Sequence, residues 1–245
     1  NNWSIIHNNF GEYLASKELR KYNFKEITKI ILEKKQIKFS WHNTLGFYLA
    51  NNQDEKLIKL ILENNPKMIC NIEKDKFSNW RKLLFFKKIV EPYMNKKIWV
   101  TWDILHDNKF AEFFAIKDVY NYLCDVVQKN EYYVNTNNAL EILISLVYYI
   151  KDDNLIDLLT KVLLSNKYNK YHKKQALHIL ANAKIGDKDF LLNIINQLKS
   201  EEDQYLRAGY FYYINHMDLV DEFINDIFNY KTVVGRMIQA KLVSD

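Results

Sequence analysis

Proline and glycine, the two residues that interrupt helices, are scarce in this chain, with two and five copies in 245 residues. Helix interiors reject both residues, so their scarcity over such a length favours helices throughout. The two cysteines, Cys70 and Cys124, are too few for a disulfide framework or a cysteine-based zinc site. We expect both thiols to act as small buried hydrophobes in a reducing compartment.

Long apolar runs are also lacking. No stretch of about eighteen apolar residues occurs, and no charged-then-apolar leader is present, so we expect neither a membrane span nor a secretory leader. Together with the cysteine content, this predicts a cytoplasmic protein without a membrane partner. The apolar share of 48% is ample for a core, either in one extended domain or in two compact ones.

Sequence patterns that carry catalysis are missing too. The nearest approach to a phosphate-binding loop, Gly186-Asp187-Lys188, lacks both the first glycine and the hydroxyl that such a loop needs. No metalloprotease, paired-cysteine or nucleophile-elbow motif occurs. His172 and His178 lie six residues apart, on different faces of a helix, whereas a helical metal pair is spaced by three or four. We therefore expect no catalytic, metal or cofactor site in this chain itself.

Apolar residues recur at helical spacing almost everywhere, which predicts an all-α fold. Three segments of the second half align without gaps at Ala139, Ala176 and Ala208, which are separated by 37 and 32 residues. A second amphipathic helix is predicted after each of them, over 155–164, 190–198 and 219–228. Helix pairs that repeat at this period are typical of an α-solenoid, here a right-handed one of HEAT-like antiparallel helix pairs.

The first half repeats less clearly. Helices predicted over 24–35, 41–51 and 54–64 suggest two irregular units. Asn65-Pro66 indicates a cap followed by a proline at the first helical position, and Pro92 is expected to bend or end the helix that contains it.

The opening I-I-H-N-N-F-G-E-Y-L-A-S-K resembles the element that closes the nucleotide-binding module of NACHT-type STAND ATPases, the family of the NOD-like receptors and their bacterial relatives. That element has a short apolar strand, a histidine, two variable residues and then F-Q-E-Y/F-L/F-A-A on a helix. The matching residues here are Ile5, Ile6, His7, Phe10, Glu12, Tyr13, Leu14 and Ala15. Gly11 and Ser16 depart from the family pattern, which commonly has Gln and Ala there.

Two later segments, W-H-N-T-L-G-F-Y-L-A from Trp41 and L-E-N-N-P-K-M-I from Leu62, resemble the region that follows the ATPase in bacterial relatives. The resemblance implies that this chain is the part of a larger receptor that begins where the ATPase ends. We accordingly divide it into the tail of the NACHT winged-helix element (1–20), irregular helical repeats (21–134) and HEAT-like helix-pair repeats (135–245).

The resemblance also implies a function, namely ligand sensing and autoinhibition in a bacterial anti-phage defence receptor. The expected partners are a protein ligand, such as a phage protein, and the receptor's own ATPase module, which would hold ATP or ADP and Mg²⁺. His7 is the candidate contact to an ADP phosphate in that parent protein, and the alternative is that it merely ends a buried strand. Within 135–245, Tyr212 and Tyr213 are candidate anchors for the ligand.

Charge leaves other interpretations open. Residues 1–100 carry 19 Lys/Arg against 10 Asp/Glu, a net of +9, whereas residues 101–245 carry 16 against 20, a net of −4. The basic half contains Trp41, Trp80 and Trp99, a mixture that also suits a nucleic-acid surface. A HEAT-like DNA-binding protein or DNA glycosylase, with Asp103 near Trp99 and Trp102, is one alternative, and a plain helical scaffold is another.

Adjacent aromatic residues are a further feature, as in Tyr132-Tyr133 and Tyr148-Tyr149. We expect most of these rings to lie in the core, with some tyrosines available to a protein partner.

Overall fold

A computed structural model describes residues 8–149 and 154–182, together with Asn193, Ile194, Gln197 and Leu206. The first two ranges contain eleven α-helices, three short 3-10 helices and two strands of two residues each, so the predicted all-α class is confirmed for this part of the chain. The helices are α1 (Asn8–Leu19), α2 (Phe24–Ile31), α3 (His42–Asn52), α4 (Glu55–Asn64), α5 (Asn79–Lys96), α6 (Trp102–Leu105), α7 (Asn108–Phe114), α8 (Lys117–Lys129), α9 (Tyr133–Leu146), α10 (Asn154–Leu164) and α11 (Lys170–Asn182).

The chain divides into two compact units. Unit 1 comprises Asn1–Lys96 with Val100–Val119, and unit 2 comprises Lys97–Trp99 with Tyr120–Asp245. The predicted boundaries at residues 20 and 134 stay a prediction.

Local sequence signals set the start of the second helix, α2, but not its end. Asn23 and Glu26 form a reciprocal capping box at its start, where the side chain of each accepts from the backbone N–H of the other. The predicted continuation to Lys35 is wrong, because α2 ends at Ile31 and the chain enters a hairpin of Leu32–Glu33 paired with Gln36–Ile37. Lys34 and Lys35 form its turn with positive φ angles of 49° and 68°.

The next two helices lie close to their predicted positions. A residue in left-handed conformation, Gln53, follows α3, and Asp54 then caps α4 by accepting hydrogen bonds from the backbone N–H groups of Lys56 and Leu57. The following 3-10 helix, Pro66–Asn71, has Asn65 at its N-cap and its proline at the first position, both as expected, but the Asn65 side chain makes no capping hydrogen bond.

Pro92 does not end the helix that contains it, since α5 runs from Asn79 to Lys96. Burial explains why the helix continues through a residue that removes a backbone hydrogen bond. The side chains of Ile89, Val90 and Met94, which flank the proline on both sides, are all buried, so a break there would expose apolar surface.

An aromatic cluster forms the centre of unit 1. Phe86 of α5 packs against Phe110 and Phe114 of α7 with ring centroids 5.9 and 5.4 Å apart, and all three side chains are fully buried. Fully burying one such ring contributes roughly 1.5–3 kcal/mol to folding. The cluster therefore joins α5 to α7 and places α7 beside the 3-10 helix Pro66–Asn71, which packs on both.

In unit 2, α11 packs against both α9 and α10. Ala139 on α9 and Ala176 on α11, the two aligned alanines in the described range, are both fully buried. Their helices also bond to each other through the Gln175 amide, which donates to the Glu141 carboxylate. The third aligned alanine, Ala208, lies outside the described residues, as does the strand expected before His7.

Candidate functional site

Three residues singled out from the sequence, His7, Tyr212 and Tyr213, lie outside the described residues. The helical part of the opening motif is described, and it forms most of α1. The site is therefore built from α1 and the elements around it in unit 1.

The opening motif and the segment that begins at Trp41 meet where α1 packs on α3. Asn43 Nδ2 donates a hydrogen bond to Glu12 Oε1 at 3.2 Å, and the Tyr13 ring meets the Phe47 ring edge-on at 5.9 Å. Ser16, which stands where the family commonly has alanine, is buried, and its hydroxyl donates to the Tyr13 carbonyl at 2.6 Å. The substitution therefore leaves no polar group unsatisfied at this position.

The other side of α1 is apolar and exposed. Phe10 and Leu14 lie four residues apart on this helix, and 59% and 47% of their surfaces are exposed. Residues at this spacing share one helix face, so the two side chains form a small apolar patch. The patch is available to a partner outside the described residues.

A cleft opens between α1, α3 and the 3-10 helix Pro66–Asn71, and we call it the Asn71 cleft. It has two lobes of about 930 and 620 Å³, and Cys70, Asn71 and Lys109 line both of them. Helix α1 contributes Glu12 to the larger lobe and Tyr13 to the smaller one.

Gly46 allows the cleft floor to lie directly on α3. A Cβ built on Gly46 would lie 2.7 Å from the carbonyl oxygen of Asn71, a contact that real side chains essentially never make. Any larger residue at Gly46 would push the 3-10 helix away from α3 and change the width of both lobes.

Paired charges line the larger lobe. Lys67 Nζ lies 2.8 Å from an Asp107 oxygen and 3.7 Å from an Asp103 oxygen, and it donates to the Asp103 carbonyl at 2.6 Å. Burial by itself raises the pKa of Asp107, but hydrogen bonds from Lys67 and from the backbone at Phe110 and Lys109 outweigh it and hold that pKa below its ordinary value. Asp107 is therefore an anion that also caps α7.

One carboxylate oxygen at the cleft has no hydrogen-bond partner among the described residues. Glu12 Oε2 is inaccessible to solvent and accepts no hydrogen bond from the described part of the chain, while Oε1 of the same group accepts one from Asn43. Buried carboxylate oxygens normally accept a hydrogen bond, so this atom is an exception among the residues that the structure describes.

Basic and acidic side chains therefore both line the cleft. Lys109 Nζ donates to Asn71 Oδ1 at 3.2 Å, and Lys74 pairs with Glu112 at 2.9 Å in the smaller lobe. Burial raises the pKa of the Cys70 thiol far above its ordinary value, and burial lowers the pKa of His42. Near neutral pH the cleft therefore presents a neutral thiol and a neutral imidazole rather than a thiolate and an imidazolium.

The residues named for a glycosylase take part in other contacts. Trp102 lies against His106 with ring centroids 3.6 Å apart, and the Asp103 carboxylate pairs with Lys67. Across residues 8–149 and 154–182, no group of three or more histidine, cysteine or acidic side chains is arranged to hold a metal ion. No helix in the same ranges is long and apolar enough to cross a membrane.

The expectation that the aromatic pairs lie in the core is wrong for those described. Tyr132, Tyr133, Tyr148 and Tyr149 are all exposed by two fifths or more, because each pair lies at an end of α9, where the helix leaves the packed core. Cys70 is buried as expected, whereas Cys124 is half-buried.

Comparisons of the chain with protein-family models, curated proteins and solved structures found no match. The resemblance to NACHT-type ATPases accordingly stays a prediction that rests on the quoted motifs.

Proposed function

We propose that this chain is the ligand-sensing and autoinhibitory module of a bacterial anti-phage STAND ATPase of the NACHT type. It binds a protein ligand and its own ATPase module in the cytoplasm, and it has no catalytic activity of its own. ATP or ADP and Mg²⁺ belong to the parent ATPase, with His7 as the residue of this chain that reaches the ADP phosphate.

The observation that carries this proposal is the contact between α1 and α3. Two sequence segments that resemble consecutive regions of that family pack together through Glu12 with Asn43 and Tyr13 with Phe47. Their contact supports a helical region that continues directly from an ATPase module.

The packing of α9, α10 and α11 supports the finer architecture, a right-handed solenoid of HEAT-like antiparallel pairs. In such a solenoid each repeat buries its apolar face on its neighbour, and small residues let the helices approach closely. The burial of Ala139 and Ala176 on two packed helices agrees with that arrangement.

The two sides of α1 suit a role in autoinhibition. The exposed patch of Phe10 and Leu14 suits docking of the ATPase, while Glu12 and Tyr13 face the Asn71 cleft. A ligand that binds better when α1 is released from the ATPase shifts the population toward the open state. Recognition itself is expected in residues 135–245, with Tyr212 and Tyr213 as anchors, because the first helices are occupied by the ATPase.

The test uses the full-length protein with Phe10→Ser and Leu14→Ser together. Loss of the docking patch should raise basal ATPase activity and oligomerisation without ligand. Trp80→Ser is the matched control, because Trp80 of α5 is exposed by 66% but lies outside the patch. Basal activity that stays at the wild-type level in the double variant would contradict docking through α1.

Two further observations test the family and the position of the sensor. A phosphate-binding loop and an acidic Walker B strand encoded some hundreds of residues before Asn1 would support the family, and their absence would contradict it. Exchange of residues 135–245 with those of a relative should transfer trigger specificity while ATPase behaviour is retained. A folded chimera that still answers its original trigger would place the sensor elsewhere.

A further inference from the structure

Three chain segments meet at one end of unit 2, namely residues 97–99, 129–133 and 165–171. The Asn138 side chain donates to the Ile98 carbonyl at 2.8 Å, which holds the first segment on α9. Asn130 Nδ2 donates to the Lys167 carbonyl at 3.1 Å, and Lys167 Nζ donates to the Gln128 carbonyl at 2.9 Å. These bonds join the loop before α11 to the end of α8.

Four aromatic rings lie exposed at this end, and we call them with their neighbouring lysines the aromatic–lysine surface. The rings are Trp99, Tyr132, Tyr133 and Tyr171, each exposed by between 41 and 52%. Trp99 meets Tyr133 edge-on at 5.8 Å, and His172 stacks on Tyr133 with centroids 5.0 Å apart. His172 is itself buried, so the Tyr133 ring packs on a core side chain while it stays partly exposed.

Positive charge surrounds the rings. Lys97 Nζ lies 3.7 Å from the centre of the Tyr132 ring, and Lys170 Nζ lies 5.4 Å from that of Tyr171. Within the described part of the chain, neither of these lysines nor Lys129 or Lys167 forms an ion pair. The three segments contain four lysines and one acidic residue, Glu131, and the ammonium of Lys167 donates to the Gln128 and Lys129 carbonyls.

We propose that the aromatic–lysine surface binds single-stranded nucleic acid. Such a strand offers phosphates for lysines that form no ion pair and flat bases that stack on exposed rings. A duplex hides its base faces inside the stack, and an acidic polypeptide uses the lysines but leaves the clustered rings without a stacking partner. The proposal is independent of the resemblance to NACHT ATPases and adds a ligand class to the protein ligand proposed above.

The aromatic–lysine surface is not the nucleic-acid surface that the charge distribution along the sequence indicated. The net charge of +9 over residues 1–100 pointed to a face with Trp41, Trp80 and Trp99. In the structure Trp99 belongs to unit 2 with Tyr133, whereas Trp41 and Trp80 belong to unit 1. Lys129, Lys167 and Lys170 lie in the half of the sequence with net negative charge. The net charge of each half therefore gives no sign of this group of lysines.

The test measures fluorescence anisotropy of a labelled 20-nucleotide single strand of mixed sequence with the 245-residue chain. Trp99→Ala and Tyr171→Ala should each weaken binding roughly five- to a hundredfold, since stacking on one ring is worth about 1–3 kcal/mol per base. Trp80→Ala and Tyr148→Ala are matched controls, because both side chains are exposed by about two thirds and lie outside the surface. Thermal melts followed by circular dichroism identify any variant that fails to fold. Because Trp99 contacts Tyr133, Trp99→Ala also affects the Tyr133 ring, and Tyr171→Ala then provides an independent test.

The salt dependence of single-strand binding is a second measurement. A substitution that affects only the structure of the protein would leave it unchanged. Each phosphate contact on a single strand contributes about 0.7 to the slope of log K against log salt. Lys97→Gln with Lys170→Gln should therefore reduce the magnitude of that slope by about 1.4.

Three results would overturn the proposal. The first is no binding of the single strand at 50 mM salt, and the second is an equal loss of affinity in Trp80→Ala and Trp99→Ala. The third is competition by polyglutamate as effective as competition by the unlabelled strand, which would assign the surface to an acidic protein. Selective loss in Trp99→Ala and Tyr171→Ala, with weaker competition by duplex DNA, would support it.

Discussion

Asn43 donates a hydrogen bond to Glu12 across 3.2 Å and so holds α1 on α3. Asn43→Ala should weaken this attachment without weakening α3, because alanine is the better helix former. Asn43→Ala, Glu12→Ala and the double variant form a mutant cycle. We expect its coupling energy to be about 1 kcal/mol, below the roughly 1.5–3 kcal/mol of a bond to a charged group, because this bond is exposed. Urea unfolding of the four proteins gives the coupling, and purely additive effects would contradict it.

Gly46→Ala should destabilise unit 1 by roughly 1–3 kcal/mol, since its Cβ would overlap the Asn71 carbonyl and force the cleft floor off α3. Gly11→Ala is the matched control on α1. At this helical position, alanine in place of glycine should stabilise the protein by up to about 1 kcal/mol. Urea midpoints measure both changes, and a Gly46→Ala variant as stable as the wild type would show that the 3-10 helix moves freely.

Lys82→Met should stabilise the protein at neutral pH. Burial lowers the pKa of Lys82, whose ammonium lies 5.6 Å from the centre of the Phe113 ring. A gain of about 1 kcal/mol would raise the melting temperature by roughly 2–4 °C for a chain of this size.

The sign of the pH effect at Lys82 follows from the same burial. Its folded pKa lies below the unfolded value of 10.5, so the wild type gains stability as pH rises through the folded pKa toward 10.5. The advantage of methionine should accordingly shrink above that range. Lys88→Met, at an exposed position of the same helix, should change stability by less than about 0.5 kcal/mol at either pH. A loss of stability in Lys82→Met at pH 7 would show that the ammonium makes a net favourable contribution.

His172 should make stability fall in mild acid. Burial lowers its pKa below 6.5 although the hydrogen bond to the Tyr133 carbonyl raises it, and its buried Nδ1 has no hydrogen-bond partner within the described ranges. The unfolded chain then binds the proton more readily, so stability is retained above pH 6.5 and is lost as pH falls from there toward the folded pKa.

His172→Phe keeps a ring between Tyr133 and Tyr168 but cannot be protonated, so it should reduce this dependence. Urea midpoints at pH 7.5 and 5.0 provide the comparison. Equal losses in wild type and variant would assign the acid sensitivity to other groups.

Helix positions were largely predictable from the sequence, and the exceptions have a physical cause. The Asp54 cap and the end of α4 at Asn64 follow from local signals. By contrast, α2 ends at Ile31 because the chain pairs in a hairpin there, and α5 passes through Pro92 because buried side chains on both sides hold it. Both outcomes depend on contacts that periodicity does not report.

The candidate sites were less predictable. Lys67 is 36 residues from the Asp103 carbonyl to which it donates, and Asn71 is 38 residues from Lys109, so no local pattern places these groups in one cleft. Exposed aromatic pairs beside lysines were the available signal for the aromatic–lysine surface. Their exposure depends on where α9 leaves the core.

By itself the sequence determined the helical class, because apolar spacing and the scarcity of helix breakers act through neighbours along the chain. Only the tertiary structure decided that the Gly46 backbone carries the cleft floor and that Trp99 lies beside Tyr133. The reason is physical, since burial and the meeting of distant side chains arise only when helices pack, and many packings are compatible with one apolar pattern.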